Sequence, residues 1–328
     1  MNDKINIGVI GCASIAKRSV LPEIICNNNF NLSGVASRTG SKADEFATTF
    51  GTKPFSGYEK LLDQKEIKAV YIPLPCGLHY EWINKALDRN LHVLTEKSLA
   101  CTKDEAEELN NKARKKNLVL MESFQFRFHN QMGEISDIIN NKSLGEIKFI
   151  RSSFCFPPFK DIDNIRYNNK LGGGALLDAG AYTIKVSAII LGDETEVIAA
   201  IAETDQIRNI DIGGGGLIVK KNGSAYSEIS FGFNHFYQCN LEIVFSSGKL
   251  TANRIFTAPP GFNSELIIES EGNAKEVKHI SDNHFKKLIN HFHDLIIFPD
   301  KREDEYRQNL HQAELIQQFR NASRKINK

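Results

Sequence analysis

The stretch "GVIGCASIAKR" (8–18) joins a short apolar run to a helical pattern, and the architecture of the chain turns on it. Small residues at such a junction let a backbone approach a pyrophosphate, which then rests on the helix N-terminus. Against G-x-G-x-x-G/A the stretch supplies Gly11, Ala13 and Ala16, with the middle glycine replaced. Ala13 still permits close approach, though less readily than glycine. Taken alone, the motif also fits any tight strand–helix turn. Its surroundings decide between the two.

Those surroundings alternate. "INIGVIG" (5–11) reads as a strand and Ser14 to Cys26 as a helix. "NLSGVAS" (31–37) is a second strand, and "KADEFATTFG" (42–51) a helix ended by Gly51. "AVYIPLP" (69–75), "HVLTEK" (92–97) and "LVLMES" (118–123) are further strands, with helices over His79 to Arg89 and Lys103 to Lys116 between them. Continuous apolar strands separated by helices imply a parallel sheet covered on both faces. The expectation is an α/β chain whose residues 1–125 form a doubly wound Rossmann domain.

Beyond Phe124 the pattern changes. "EIKFIRSSFCF" (146–156) is a longer strand, and five alternating segments between 196 and 271 are joined by Gly-, Asn- and Ser-rich turns. Residues 126–328 are therefore expected to form an α+β domain around a large, mostly antiparallel open sheet, closing with a helix from about Glu303 to Arg324. The only biased run is "GGGG" at 213–216.

A chain of 328 residues exceeds one ordinary core, which agrees with two domains. Its net charge of +1 lacks the basic footprint of a nucleic-acid or membrane-surface binder. No signal-peptide layout opens the sequence, and no apolar stretch suggests the roughly 20 residues of a membrane span. Six cysteines stand singly without a CxxC pair, favouring reduced thiols over a disulfide framework or a metal site. These features predict a soluble cytoplasmic protein.

Three segments carry candidate chemistry. The second strand ends in "VASRTGSKA" (35–43), where an acid would hold the ribose hydroxyls of NAD. Ser37, Arg38, Thr39 and Lys42 stand there instead, a set suited to a 2′-phosphate and hence to NADP(H) rather than NAD. The alternative for Arg38 is an ordinary solvated side chain. In "LTEKSLACTKDEAE" (94–107), Glu96 and Lys97 close an apolar strand, on the side of an open α/β sheet where ligands bind. Thr102 and Glu105 have capping-box spacing, so Lys97 is held between two rigid elements. From there a lysine can donate to a carbonyl oxygen; the alternative is an exposed lysine. In "NIRYNNKLGGGALLDAGAYTIKVSAIILG" (164–192), Asp178 and Tyr182 lie four residues apart on one helical face. A tyrosine beside a lysine is a plausible proton donor, because the positive charge favours the phenolate. An acid near a helix start and a core tyrosine are the structural alternatives.

With these segments in hand, the chain resembles the Gfo/Idh/MocA oxidoreductases over essentially its whole length. The resemblance rests on the N-terminal fingerprint, "TEKSLA", "GGGALLDAGAY" and the C-terminal sheet. It implies that Lys97 matches the EKP lysine of that family, that Asp178 and Tyr182 match its D-x-x-x-Y/H pair, and that all three are catalytic. It further implies a cofactor site of Gly11, Cys12, Ala13, Ser14, Ile15, Ala16, Ser37, Arg38, Thr39, Lys42, Leu74, Pro75, Leu78, His79, Glu96, Lys97 and Arg166. Lys97, Phe124, Tyr182, His235 and Tyr237, the last two on the C-terminal sheet, are its implied substrate contacts. The cofactor would be NADPH with no metal, and the assembly a homodimer or homotetramer through the C-terminal sheet. "LMESFQFRFHNQ", "FGFNHFYQCNLEI" and "ANRIFTAPP" narrow the likeness to reductases of the C-3 ketone of nucleotide-linked deoxysugars. D-xylose and trans-dihydrodiol dehydrogenases are the alternative, and a non-catalytic dinucleotide-binding protein a third. One residue departs from the pattern. Ser98 replaces the motif proline, which predicts a trans Lys97–Ser98 bond or one that relies on neighbouring contacts, because a cis bond before a non-proline residue costs about 2.5–4 kcal/mol.

Overall fold

The computed structural model describes residues 4–272 and 275–327; the first three residues of the 1–125 reading, and Lys328, lie outside that range. The chain divides into two compact units. The first runs to Ser123 and takes in Phe285–Leu310; the second comprises Phe124–His284 and the chain from His311 onward.

The first unit is a six-stranded sheet. Its strands are β1 (Ile5–Ile10), β2 (Phe30–Ser37), β3 (Pro54–Ser56), β4 (Ala69–Ile72), β5 (His92–Thr95) and β6 (Leu120–Glu122). They lie in the order β3-β2-β1-β4-β5-β6, and every pair is parallel. That order turns back beside β1, the place where a doubly wound sheet opens its ligand crevice. Helices α1 (Leu21–Cys26), α2 (Gly40–Phe50), α3 (Tyr58–Leu62), α4 (His79–Asp88) and α5 (Lys103–Lys115) connect the strands. The centre of the sheet is apolar because both faces are covered: Ile7, Val9, Val70, Ile72, Val93 and Leu94 have no exposed surface. Strand β3 and helix α3 were not foreseen; at three and five residues they are too short to show a period. One π-helical turn, Ala16–Val20, stands where a plain helix start was read.

The second unit opens with α6 (Asn130–Asn140) and is built on a nine-stranded sheet. Its strands are β7 (Ile147–Cys155), β8 (Thr195–Asp205), β9 (Ile210–Lys220), β10 (Tyr226–Gly232), β11 (Gln238–Phe245), β12 (Gly248–Asn253), β13 (Ser264–Ser270), β14 (Glu276–Ile280) and β15 (Ser323–Asn327). Pairing is antiparallel except at β7–β10 and β8–β15. Helix α7 (Ala181–Leu191) packs on one face. The glycine run lies inside β9, where a Cβ at Gly214 would come within 2.5 Å of the Ile201 carbonyl, and one at Gly216 within 3.0 Å of the Phe319 ring. The bare backbone admits that ring.

Two expectations change. Of the last two helices, α8 (His284–Ile297) and α9 (Arg302–Ala322), the second stops before Arg324, and the chain continues as β15, because Ser323–Asn327 completes the sheet edge beside β8. The segment Asn169–Leu191 is long and apolar enough to cross a membrane, contrary to the sequence reading, but 83% of its most apolar window is buried. It is a core segment of the second unit.

Candidate active site

In the first unit the loop after β1 carries Gly11 at φ +117°, a conformation few other residues adopt. A Cβ there would stand 2.7 Å from Leu74 Cδ2 and 3.4 Å from the Pro73 carbonyl. Glycine thus keeps the backbone bare where the 73–78 loop approaches. Ala13 and Ile15 are half-buried, Ser14 is exposed and Ala16 is buried. Cys12 turns inward, its thiol pointing to the Ala36 carbonyl at 3.9 Å, and burial pushes it up to about 11. Its side chain is therefore a packing group, and only its backbone can face a cofactor. After β2, Ser37 is buried and accepts from the Thr39 N–H at 3.4 Å, while Arg38, Thr39 and Lys42 are exposed. A hydroxyl pair, a guanidinium and an ammonium with no acid between 37 and 43 fit a 2′-phosphate.

The Lys97 turn is fixed from several sides. Tyr71 on β4 donates its hydroxyl to Glu96 Oε1 at 2.7 Å. Burial raises the Glu96 carboxyl, and the Tyr71 hydrogen bond and Lys97 oppose that rise. The Lys97–Ser98 peptide is cis, the second of the two alternatives that Ser98 left open. Neighbouring contacts hold that turn. Ser98 is 2% exposed, and its carbonyl meets His79 Nδ1 at 2.7 Å and accepts from the Cys76 thiol at 3.3 Å. Glu122 Oε1, at the end of β6, accepts from the Leu99 N–H at 2.8 Å. The capping box is present: Thr102 Oγ1 accepts from the Glu105 N–H at 3.2 Å, and Glu105 Oε2 accepts from the Thr102 and Cys101 N–H groups, both at 3.1 Å.

His79, expected among the cofactor contacts, has no exposed surface. Its Nε2 meets the Leu74 carbonyl at 2.8 Å, so its ring spans two loops and lies behind the site. Burial lowers its pKa, partly offset by these carbonyls. Leu74 is nearly buried, and Pro75 and Leu78 are half-exposed.

In the second unit, "GGGALLDAGAY" makes a tight approach and then a widened helix. A Cβ on Gly173 would sit 2.6 Å from the Arg166 carbonyl, and Gly174 (φ +121°) faces Asp211 Oδ1 just as closely. Leu176–Gly180 is a π-helical turn running into α7; such turns occur often at functional sites. Asp178 accepts from Arg166 Nε at 2.5 Å, and the Arg166 guanidinium lies 4.8 Å from the centre of the Phe159 ring. Arg166, expected at the cofactor, is thus engaged with Asp178, which was expected among the catalytic residues.

Tyr182 is 6% exposed among Phe124, Phe126, Phe154 and Phe256, with ring centroids 5.0–5.8 Å away. Its hydroxyl meets the Gln125 amide at 3.4 Å. Phe124 is completely buried edge-on to Tyr182, so it backs the tyrosine and offers no surface to a substrate. His235 and Tyr237 lie in the β10–β11 turn, not on the sheet strands as expected. His235 is exposed, and the Tyr237 hydroxyl accepts from Arg254 Nη1 at 2.7 Å.

Sequence reasoning missed Asp211, Glu122, Tyr71 and Gln125. Asp211 accepts from the Leu176 N–H at 2.5 Å and anchors the start of the Tyr182 helix, while burial raises its carboxyl. An acid inside the apolar strands "LVLMES" and "NIDI" was the available signal, the same one that marked Glu96.

Residues 5–124 match the NAD-binding Rossmann-fold domain of the GFO/IDH/MocA oxidoreductases, and residues 132–251 match a GFO/IDH/MocA C-terminal domain. The chain is 36% identical over 322 residues to dTDP-3,4-didehydro-2,6-dideoxy-alpha-D-glucose 3-reductase of Actinomadura kijaniata, covering 98% of this chain and 96% of that one. It is 30% identical to the NADP(+) D-xylose 1-dehydrogenase 2 of Haloferax volcanii, over 81% of each. A crystal structure of a 3-ketoreductase from A. kijaniata, in complex with NADP and TDP-benzene, superposes with a TM-score of 0.95 at 35% identity, covering 99% of this chain and 100% of that one.

Proposed function

Because the chain belongs to the GFO/IDH/MocA oxidoreductase family, we propose that it is an NADPH-dependent reductase of the C-3 ketone of a dTDP-linked keto-deoxysugar. The observation that carries this reading is the end-to-end likeness to a named dTDP-sugar 3-reductase, at 36% identity over nearly both chains. The D-xylose dehydrogenase is more distant in identity and in coverage.

When bound, the cofactor supplies hydride to the ketone carbon. The loop at Gly11 receives the pyrophosphate, and Ser37, Arg38, Thr39 and Lys42 hold the 2′-phosphate. Lys97 donates to the ketone oxygen and stabilises the negative charge that develops there. Tyr182 gives its phenolic proton to that oxygen, and the lysine charge favours the phenolate left behind. Asp178, anchored on Arg166, orients sugar hydroxyls, and His235 and Tyr237 extend the sugar contacts. Variants of the A. kijaniata 3-ketoreductase have been crystallised with a lysine replaced by glutamate or alanine and a tyrosine by phenylalanine, the residue types assigned roles here. The assembly is a homodimer or homotetramer through the C-terminal sheet, where Ile198 and Ile201 on β8 and Leu217 on β9 are exposed.

The test compares NADPH oxidation on a dTDP-linked 3-keto-deoxysugar with NADP⁺ reduction on D-xylose. Turnover of the first at least tenfold above the second supports the reading. The reverse order assigns the chain to sugar oxidation, and tight NADPH binding without turnover to a non-catalytic role.

A further inference from the structure

Two thiols flank the turn that carries Lys97. Cys76 opens the short 3₁₀ turn Cys76–Leu78 between β4 and α4, and Cys101 stands one residue ahead of the α5 cap. They are 25 positions apart in sequence, yet their sulfurs approach to 3.6 Å. The contacts form a relay in which the Cys101 thiol donates to Cys76 Sγ and the Cys76 thiol donates to the Ser98 carbonyl at 3.3 Å. Both cysteines are partly accessible, whereas Cys12, Cys155 and Cys239 are buried and Cys26 stands alone on the surface. The turn that carries Lys97 and the 73–78 loop therefore meet at a dithiol.

We propose that Cys76 and Cys101 are a redox modification site, oxidised to a disulfide by exchange with a low-molecular-weight disulfide of the glutathione type. One thiolate attacks the oxidised glutathione, forming a mixed disulfide and releasing one glutathione thiolate. The second thiolate attacks the protein sulfur of that intermediate and releases the other. One S–S bond forms in the protein and one breaks in the reagent; the two thiol protons leave with the two reduced glutathiones. The sulfurs close by about 1.5 Å to reach disulfide length. Cys76 then has no proton to donate to Ser98, the residue that follows Lys97. The bridge also draws the 73–78 loop and the Lys97 turn together, and small displacements of a positioned group cost rate steeply. The contact with Cys101, and then burial, raise the Cys76 thiol, which favours its neutral form and slows exchange at that sulfur.

The bridge itself is independent of the substrate proposed above; its effect on turnover rests on that reading. The full chain is incubated with oxidised glutathione, denatured, and its thiols counted, followed by digestion without reductant. The expected result is a fall from six thiols to four, a linked peptide pair containing Cys76 and Cys101, and full reversal by dithiothreitol. Cys26→Ser should still form the bridge. Cys76→Ser and Cys101→Ser should instead retain bound glutathione. NADPH-dependent turnover should fall roughly tenfold on oxidation and recover on reduction in wild type. A stable glutathione adduct on wild-type Cys76 or Cys101 without the linked pair, or linkage of any other pair, overturns the proposal.

Discussion

Around Lys97 the chain is held by directional polar contacts. An imidazole and a thiol meet the Ser98 carbonyl, a carboxylate takes the Leu99 N–H, and a second carboxylate caps the next helix. Around Tyr182 the chain is held by shape, with four phenylalanines against the ring and bare glycines where the preceding segment folds back. The difference matches the tasks proposed for them. A lysine on a loop has many rotamers, so its backbone must be fixed by hydrogen bonds. A buried tyrosine has two χ angles, and ring packing together with the Gln125 amide aims its hydroxyl.

The largest effect should come from Tyr182→Phe. Removing a positioned general acid should lower kcat by about 10²–10⁴-fold while NADPH affinity, read by fluorescence titration, stays unchanged. Unchanged turnover would remove the tyrosine as the acid. On the same side, Phe126→Ala should destabilise the protein by about 3–5 kcal/mol in chemical denaturation, since Phe126 is fully buried against Phe124, Tyr182 and Phe256. A loss below about 1 kcal/mol would mean that packing is not what fixes Tyr182.

The polar side should respond to pH. His92 accepts from the Val119 N–H at 3.0 Å through Nδ1, and burial first, then Arg302, lower its pKa from 6.5 to about 4. The unfolded chain therefore takes up this proton more readily than the folded one. The stability from neutral His92 is complete above about pH 6.5 and is lost as pH falls through about 4, on the order of 3 kcal/mol in all. Urea melts across this window should show the slope, and His92→Gln should flatten it. The smallest effect expected is from Glu122→Ala, which strips the Leu99 N–H of its acceptor at about 1–3 kcal/mol. It should lower kcat through the Lys97 turn, and Glu122→Gln should restore most of both. Equal stability in Glu122→Ala would show that the turn does not depend on this carboxylate.

Sequence reasoning located the parallel sheet and the capping box because each rests on local spacing. It could not see what depends on distant partners. His79 reads as a cofactor contact until the Leu74 and Ser98 carbonyls close on both ring nitrogens. Phe124 reads as a substrate contact until three other phenylalanines surround the same tyrosine. Asp211 lies 35 positions from the helix start it anchors, and no period in the sequence links the two. Ser98 broke the family pattern, and the contacts around its turn come from Cys76, His79 and, through Leu99, Glu122.

The central claim is hydride delivery to C-3 of a nucleotide-linked keto sugar. NADPH deuterated at nicotinamide C4 on the transferred face, mixed with dTDP-3,4-didehydro-2,6-dideoxyglucose and this enzyme, should place deuterium at C-3 of the sugar, read by NMR of the product. Deuterium at any other sugar carbon, or retention of all the label on the cofactor, would contradict it.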